Sequence, residues 1–166
     1  MCGFNMAFLG REKELRLLEN IYASDTFEFG IIHGRRRVGK TTLIKHSIKE
    51  KKAVYLLAQQ ANVKMNLEIF SNIYGTYKGF GQMIYASFEE LFKAIFEEKN
   101  LIVVIDEFTY LTEVDPSFES MLQGLIDSHK DNSTIKLIIS GSEIGMFENI
   151  FSHSRPLFED IRFPTT

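Results

Sequence analysis

Gly34-Arg35-Arg36-Arg37-Val38-Gly39-Lys40-Thr41 has the spacing G-x-x-x-x-G-K-[ST], and each fixed position has a chemical reason to be there. The glycines let the backbone curl so that several N–H groups point at one anion. A helix opening near Gly39 adds the positive end of its dipole. Lys40 would reach the β- and γ-phosphates as a point charge, and the Thr41 hydroxyl would hold Mg²⁺. The three arginines inside the loop divide evenly between a solvated basic turn and a contact to phosphate, to a partner or to nucleic acid.

A second set of chemical groups closes the run Leu101-Ile102-Val103-Val104-Ile105, which ends in Asp106-Glu107. Ligands of open α/β sheets bind at the carboxyl ends of parallel strands. Asp106 would there orient Mg²⁺, mainly through its water shell, and Glu107 is placed to orient and deprotonate an attacking water. A third run, Ile135 to Ile139, ends in Ser140-Gly141-Ser142. Ser140 or Ser142 would hydrogen-bond the attacking water or the γ-phosphate. An Asn-Lys-x-Asp guanine motif does not occur, so the base expected is adenine, by elimination.

These groups need elements to carry them. Phe29 to His33, Ala53 to Leu57, Leu101 to Ile105 and Ile135 to Ile139 are continuous apolar runs, which suit strands covered on both faces and hence a parallel sheet. The loop at Gly34 follows the first run and precedes a helix expected over Thr41 to Lys52. Phe88, Leu91, Phe92, Ile95 and Phe96 follow helical spacing, with Ser87 and Glu90 as a capping box. Asp115-Pro116 reads as an N-cap followed by proline at the first helical position, and Phe118, Met121, Leu122 and Leu125 line the helix after it. Gln59 to Tyr85 reads as partly helical and broken by Gly75, Gly79 and Gly81. Alternating strands and helices give an α/β domain with right-handed crossovers.

The 166 residues favour one domain over 1–166, and 15 Phe and 6 Tyr supply a large core. A net charge of −3 and a pI near 5.8 exclude a globally basic nucleic-acid binder while leaving a local patch open. The single cysteine, Cys2, excludes a disulfide framework. The four histidines lack metal-ligand spacing. Neither a membrane span nor a signal peptide is legible, so a cytoplasmic location without membrane partners is expected.

The chain resembles the archaeal-type ATPases of the signal-transduction branch of the AAA+-related P-loop proteins. The resemblance rests on Phe8-Leu9-Gly10-Arg11-Glu12-x-Glu14-Leu15, on Gly34 to Thr41 with Thr42-Leu43, on Leu101 to Phe108 and on Leu137 to Ser142, in that order. It implies a three-layer P-loop sandwich with strand order 5-1-4-3-2. It places Phe8, Leu9, Gly10 and Arg11 near the adenine and adds Thr42 to the nucleotide contacts. It also implies a following helical lid and winged-helix domain, sometimes a nuclease-like domain, rearranged by nucleotide state. The chain departs from the pattern after Pro156-Leu157-Phe158, where Glu159-Asp160 replaces a Gly-Arg step just before a fifth strand expected at Ile161 to Phe163. Arg155 does not match the position of the missing arginine. An arginine finger is worth about 10³–10⁵ in rate, so its source stays open. The chain also stops at Thr166, before any lid or winged helix.

Mg²⁺-dependent ATP binding and hydrolysis is therefore the leading expectation. Its site would combine Lys40 and the loop amides on the phosphates, Thr41 and Asp106 on the metal, Glu107 as base and Ser140 as sensor. A module that holds ATP or ADP with negligible turnover, a nucleic-acid-associated regulatory ATPase fragment and a small-molecule kinase remain as rivals.

Overall fold

The computed structural model describes residues 11–34, 39–142 and, as backbone, 158–162. Its elements in chain order are α1 (Glu12–Ala23), β1 (Glu28–His33), α2 (Lys40–Ser47), β2 (Ala53–Leu57), α3 (Val63–Lys78), α4 (Phe88–Phe96), β3 (Ile102–Asp106), α5 (Thr109–Val114), α6 (Ser117–His129), β4 (Lys136–Gly141) and β5 (Phe158–Arg162). The strands form one sheet in the order β2-β3-β4-β1-β5, and every pairing is parallel.

Side chains alternate across each strand, so the apolar runs divide between two cores. Phe29 and Ile31, Val54 and Leu56, Val103 and Ile105, and Leu137 and Ile139 face the larger core, which α3, α4, α5 and α6 cover. Ile32, Ile102, Val104 and Ile138 face the smaller core beneath α1 and α2. Runs with no polar alternation are the sequence signature of this two-sided burial. The register aligns His33 with Gly141 and Leu57 with Asp106, which puts the carboxyl ends of β1, β2, β3 and β4 along one edge.

Several elements differ in extent from the sequence-based expectation: β1, β3 and β4 shift by one or two residues, and four elements differ in instructive ways. The helix after the loop ends at Ser47, not Lys52, because the chain turns at once into β2 through Glu50, whose φ is +63°. The strand expected at Ile161 to Phe163 forms earlier, over Phe158–Arg162. The helix expected after Pro116 begins at Ser117, with the Asp115 carboxylate accepting from the Ser117 N–H at 3.0 Å. Gly75 does not break a helix. It lies inside α3, which ends at Gly79 in the left-handed conformation with φ +77°. What Gly75 provides is room: a Cβ there would come within 2.6 Å of the Gly81 carbonyl oxygen. The returning loop 80–86 is then held by Ser71 Oγ, which accepts from the Tyr85 N–H at 3.1 Å.

Tyr22 of α1 and Ser47 of α2 are joined by a 2.9 Å hydrogen bond beneath the smaller core. Burial pushes the Tyr22 hydroxyl pKa up to about 12, with Glu19 adding to the shift and the Ser47 bond opposing it.

Gly75→Ala should destabilise the protein by about 1–3 kcal/mol, overriding the better helix propensity of alanine, because the obstacle is backbone. A denaturant midpoint unchanged or raised would contradict this. Tyr22 is an acid whose folded pKa lies above its unfolded value near 10. Its contribution is therefore complete below pH 10 and lost as pH rises through about 12. Between those limits Tyr22→Phe should abolish an alkaline loss of about 2 kcal/mol, read from urea unfolding at pH 9 and pH 12.

Candidate active site

Gly39 starts the site. It sits at φ +87°, in the left-handed region where a side chain is strained, and it caps α2. Gly39 thereby opens α2, and the first turn of a helix, whose amides have no intrahelical acceptor, is the geometry of an anion site. Lys40 follows, with its side chain buried and its Nζ donating to the Gly34 carbonyl oxygen at 2.6 Å. That bond ties the two ends of the loop together. Thr41 comes next and turns toward the sheet, whereas the Thr42 side chain is exposed.

The centre of the site is Asp106, at the last position of β3 and only 1% exposed. Its Oδ2 accepts from Thr41 Oγ1 at 2.8 Å and from the Tyr55 hydroxyl of β2. Its Oδ1 accepts from the Glu107 N–H at 2.9 Å. A carboxylate this deeply buried carries a large desolvation cost, and three donors offset it. Burial and the adjacent Asp106 carboxylate hold the Tyr55 hydroxyl protonated well above the ordinary phenol range. The Lys45 ammonium lies 5.2 Å from the centroid of the Tyr55 ring.

Glu107 is held by its backbone. Its φ is +56°, a conformation that costs a non-glycine residue about 1–2 kcal/mol. Two contacts on the next residue keep it there. The Phe108 N–H donates to the Ser140 carbonyl at 3.0 Å. The fully buried Phe108 ring meets Phe118 of α6 edge-on at 5.7 Å. The reversal leaves the Glu107 carboxylate half-exposed and with no hydrogen-bond or ion-pair partner among the described residues.

Ser140 lies next to this acidic turn on β4. It shares a sheet face with Ile138, as Asp106 does with Val104, so both point to the α2 side. The Ser140 Oγ is fully buried with no hydrogen-bond partner among the described residues, and the Thr109 Oγ1 at the start of α5 is in the same condition. Buried hydroxyls are normally paired. Two orphans flanking Glu107 mark a place where a further polar group belongs.

Thr41 and Asp106 are hard oxygen donors in direct contact, which suits Mg²⁺, an ion that keeps several waters and takes few protein ligands. Among the described residues no group of three or more His, Cys, Asp or Glu converges, so a cation would complete its shell with water and phosphate oxygens. Gly34, Gly39, Lys40, Thr41, Asp106, Glu107 and Ser140 are thus brought to one end of the sheet. Arg11 lies before α1, with its Nη1 3.5 Å from Glu14 Oε1. Phe8, Leu9, Gly10, Arg35, Arg36, Arg37 and Val38 lie outside the described residues.

Residues 8–162 match the model of a family described as an ATPase domain predominantly from Archaea. The chain belongs to this family. A Methanocaldococcus jannaschii protein is 35% identical over 152 residues, covering 91% of this chain and 33% of that protein. An ATP-binding protein of the same organism is 26% identical over 158 residues, covering 95% of this chain and 40% of that one. The chain therefore spans 33–40% of the length of these relatives. Two solved structures share the fold. The Walker-type ATPase of Pyrococcus abyssi matches with a TM-score of 0.65 at 20% identity, covering 92% of this chain and 52% of that one. The Aeropyrum pernix ORC1 protein, solved in complex with DNA, matches with a TM-score of 0.68 at 20% identity, covering 94% and 45%. The archaeal ATPase domain thus shares the P-loop fold of these structures, on a parallel sheet. Among its described residues no helix is long and apolar enough to cross a membrane.

The roles of Tyr55 and Phe108 are what sequence reasoning missed. Tyr55 sits in an apolar run and looks like core, and Phe108, directly after the acidic pair, reads as part of a matching stretch without a role of its own. The one available signal was a polar-tipped aromatic near the end of the strand neighbouring the acidic strand.

The strain at Glu107 has a measurable signature. Glu107→Gly and Glu107→Gln both remove the carboxylate, but only glycine relieves the backbone. The glycine variant should be the more stable of the two by about 1 kcal/mol in urea unfolding. Equal stabilities, or a less stable glycine variant, would mean that the turn carries no strain.

Proposed function

We propose that this domain binds ATP with Mg²⁺ and hydrolyses it, acting as a nucleotide-driven switch. The observation that carries the reading is the 2.8 Å hydrogen bond from Thr41 to Asp106, which joins the phosphate loop to the acidic strand across 65 residues of sequence. Lys40 and the amides at the start of α2 bind the β- and γ-phosphates. Thr41 and Asp106 hold Mg²⁺, which when bound neutralises charge developing on the transferred phosphoryl group. Glu107, without a hydrogen-bond or ion-pair partner among the described residues, orients the attacking water and takes its proton. Ser140 supplies a hydroxyl to the γ-phosphate or to that water, an assignment favoured by its buried Oγ, which has no partner among the described residues.

The order β5-β1-β4-β3-β2 supports a place in the signal-transduction branch, with 1–166 as one ATPase core. In that reading Phe8 to Arg11 approach the adenine, and Arg35 to Val38 with Thr42 complete the nucleotide contacts. The greater length of the relatives supports a partner supplied by a winged-helix or nuclease-like domain, or by another subunit. Such a partner is also the source proposed for an arginine finger. A second reading, a module that holds ATP or ADP with negligible turnover, is favoured by Glu159-Asp160 standing where the Gly-Arg step would be. Nucleic acid is a weaker partner, supported by the DNA complex of the Aeropyrum pernix protein and opposed by a net charge of −3.

Phosphate release from ATP with Mg²⁺ separates the two readings. Lys40→Ala should lose nucleotide binding. Glu107→Gln should keep it and lose turnover by about 10²-fold or more. Binding without turnover in the unmutated chain would select the switch that does not hydrolyse. A Glu107→Gln variant as active as the parent would remove Glu107 as base.

A further inference from the structure

Tyr55 makes a contact that the proposed chemistry does not use. It lies on β2, the edge strand beside β3, and its hydroxyl donates to the same Asp106 oxygen that Thr41 addresses. The ring is held from the other side as well. Thr41 and Lys45 are one turn apart on α2, and Lys45 stands over the Tyr55 ring while Thr41 meets the carboxylate beyond it. The phenol is therefore clamped between α2 and β3 with its oxygen on Asp106.

The consequence follows from counting acceptor positions. An ionised carboxylate offers about four lone-pair sites. Thr41 and Tyr55 occupy Oδ2, and the Glu107 N–H occupies one site of Oδ1. Asp106 is otherwise enclosed. Among the described residues, one acceptor position, on Oδ1, is left without a donor and is the one that the water shell of a cation would take. Without the phenol, Oδ2 would regain an open site and the carboxylate could turn about its Cβ–Cγ bond.

We propose that Tyr55 is a positioning residue for the metal site, fixing the orientation of Asp106 so that one oxygen alone addresses the hydrated Mg²⁺ of the bound nucleotide. The proposal rests on the Mg²⁺–nucleotide reading of the site. Partners that orient metal-binding groups from outside typically change metal affinity by about 10–100-fold when removed. For a carboxylate acting through water, about tenfold is expected here.

The test uses Mn²⁺ as a paramagnetic stand-in for Mg²⁺, titrated into the ADP-loaded chain and read as bound ion by electron paramagnetic resonance. Tyr55→Phe keeps the ring in the sheet and removes only the hydroxyl. It should weaken Mn²⁺ binding about tenfold, while calorimetric ADP affinity without metal stays within twofold of the parent. Asp106→Asn should weaken Mn²⁺ at least as much. A Tyr55→Phe variant whose Mn²⁺ affinity matches the parent overturns the proposal and leaves the nucleotide site standing. An equal loss of metal-free ADP affinity also overturns it, since that marks a general structural role. A parent chain that takes up neither ADP nor Mn²⁺ overturns the nucleotide reading and this proposal with it.

Discussion

The buried carboxylate of Asp106 is the constraint on which the site depends. Its three donors come from α2, from β2 and from the turn after β3. A charge at 1% exposure is tolerable only where such donors are already in place. Each element is thereby obliged to dock at one height: α2 above the sheet, β2 in register beside β3, and the backbone reversing at Glu107. A single carboxylate converts the general packing of an α/β sandwich into a specific placement of the phosphate loop against the acidic strand.

The two cores make that placement rigid. The smaller one, under α1 and α2, seats the helix that bears Lys40 and Thr41. The larger one grips the acidic turn through aromatic packing. Phe118 meets Phe88 at 5.0 Å, Phe92 at 5.8 Å and Phe108 at 5.7 Å, each edge-on, so α4 and α6 both bear on the residue after Glu107. Aromatic pairs of this geometry are worth about 0.5–1.5 kcal/mol each beyond their buried area, the same order as the strain at Glu107. The apolar side of the sheet thus stabilises a backbone conformation whose use lies on the polar edge.

Membership of the archaeal ATPase family and the geometry of the edge carry different weight. The family and the solved structures establish the P-loop fold. The residues themselves supply the reasons for the proposed chemistry: paired hard oxygens at Thr41 and Asp106 and, among the described residues, a carboxylate at Glu107 and buried hydroxyls at Ser140 and Thr109 without partners. The chain spans 33–40% of its longer relatives.

The sequence by itself determined which residues carry the proposed chemistry and their approximate address. Gly34 to Thr41, Asp106-Glu107 and the apolar runs were legible because loop glycines, strand-end carboxylates and hydrophobic periodicity are local properties, written in neighbouring residues. Gly75 was misread for the same reason. Alone it looks like a helix breaker, and only the returning loop at Gly81 shows that it provides clearance. Tyr55, Phe108 and the strained Glu107 backbone were decided by the tertiary structure. In a parallel sheet, spatial neighbours are distant in sequence, and β4 enters between β1 and β3. Which side chain meets which carboxylate therefore depends on strand order, register and the docking of α2, none of which a window of neighbouring residues contains.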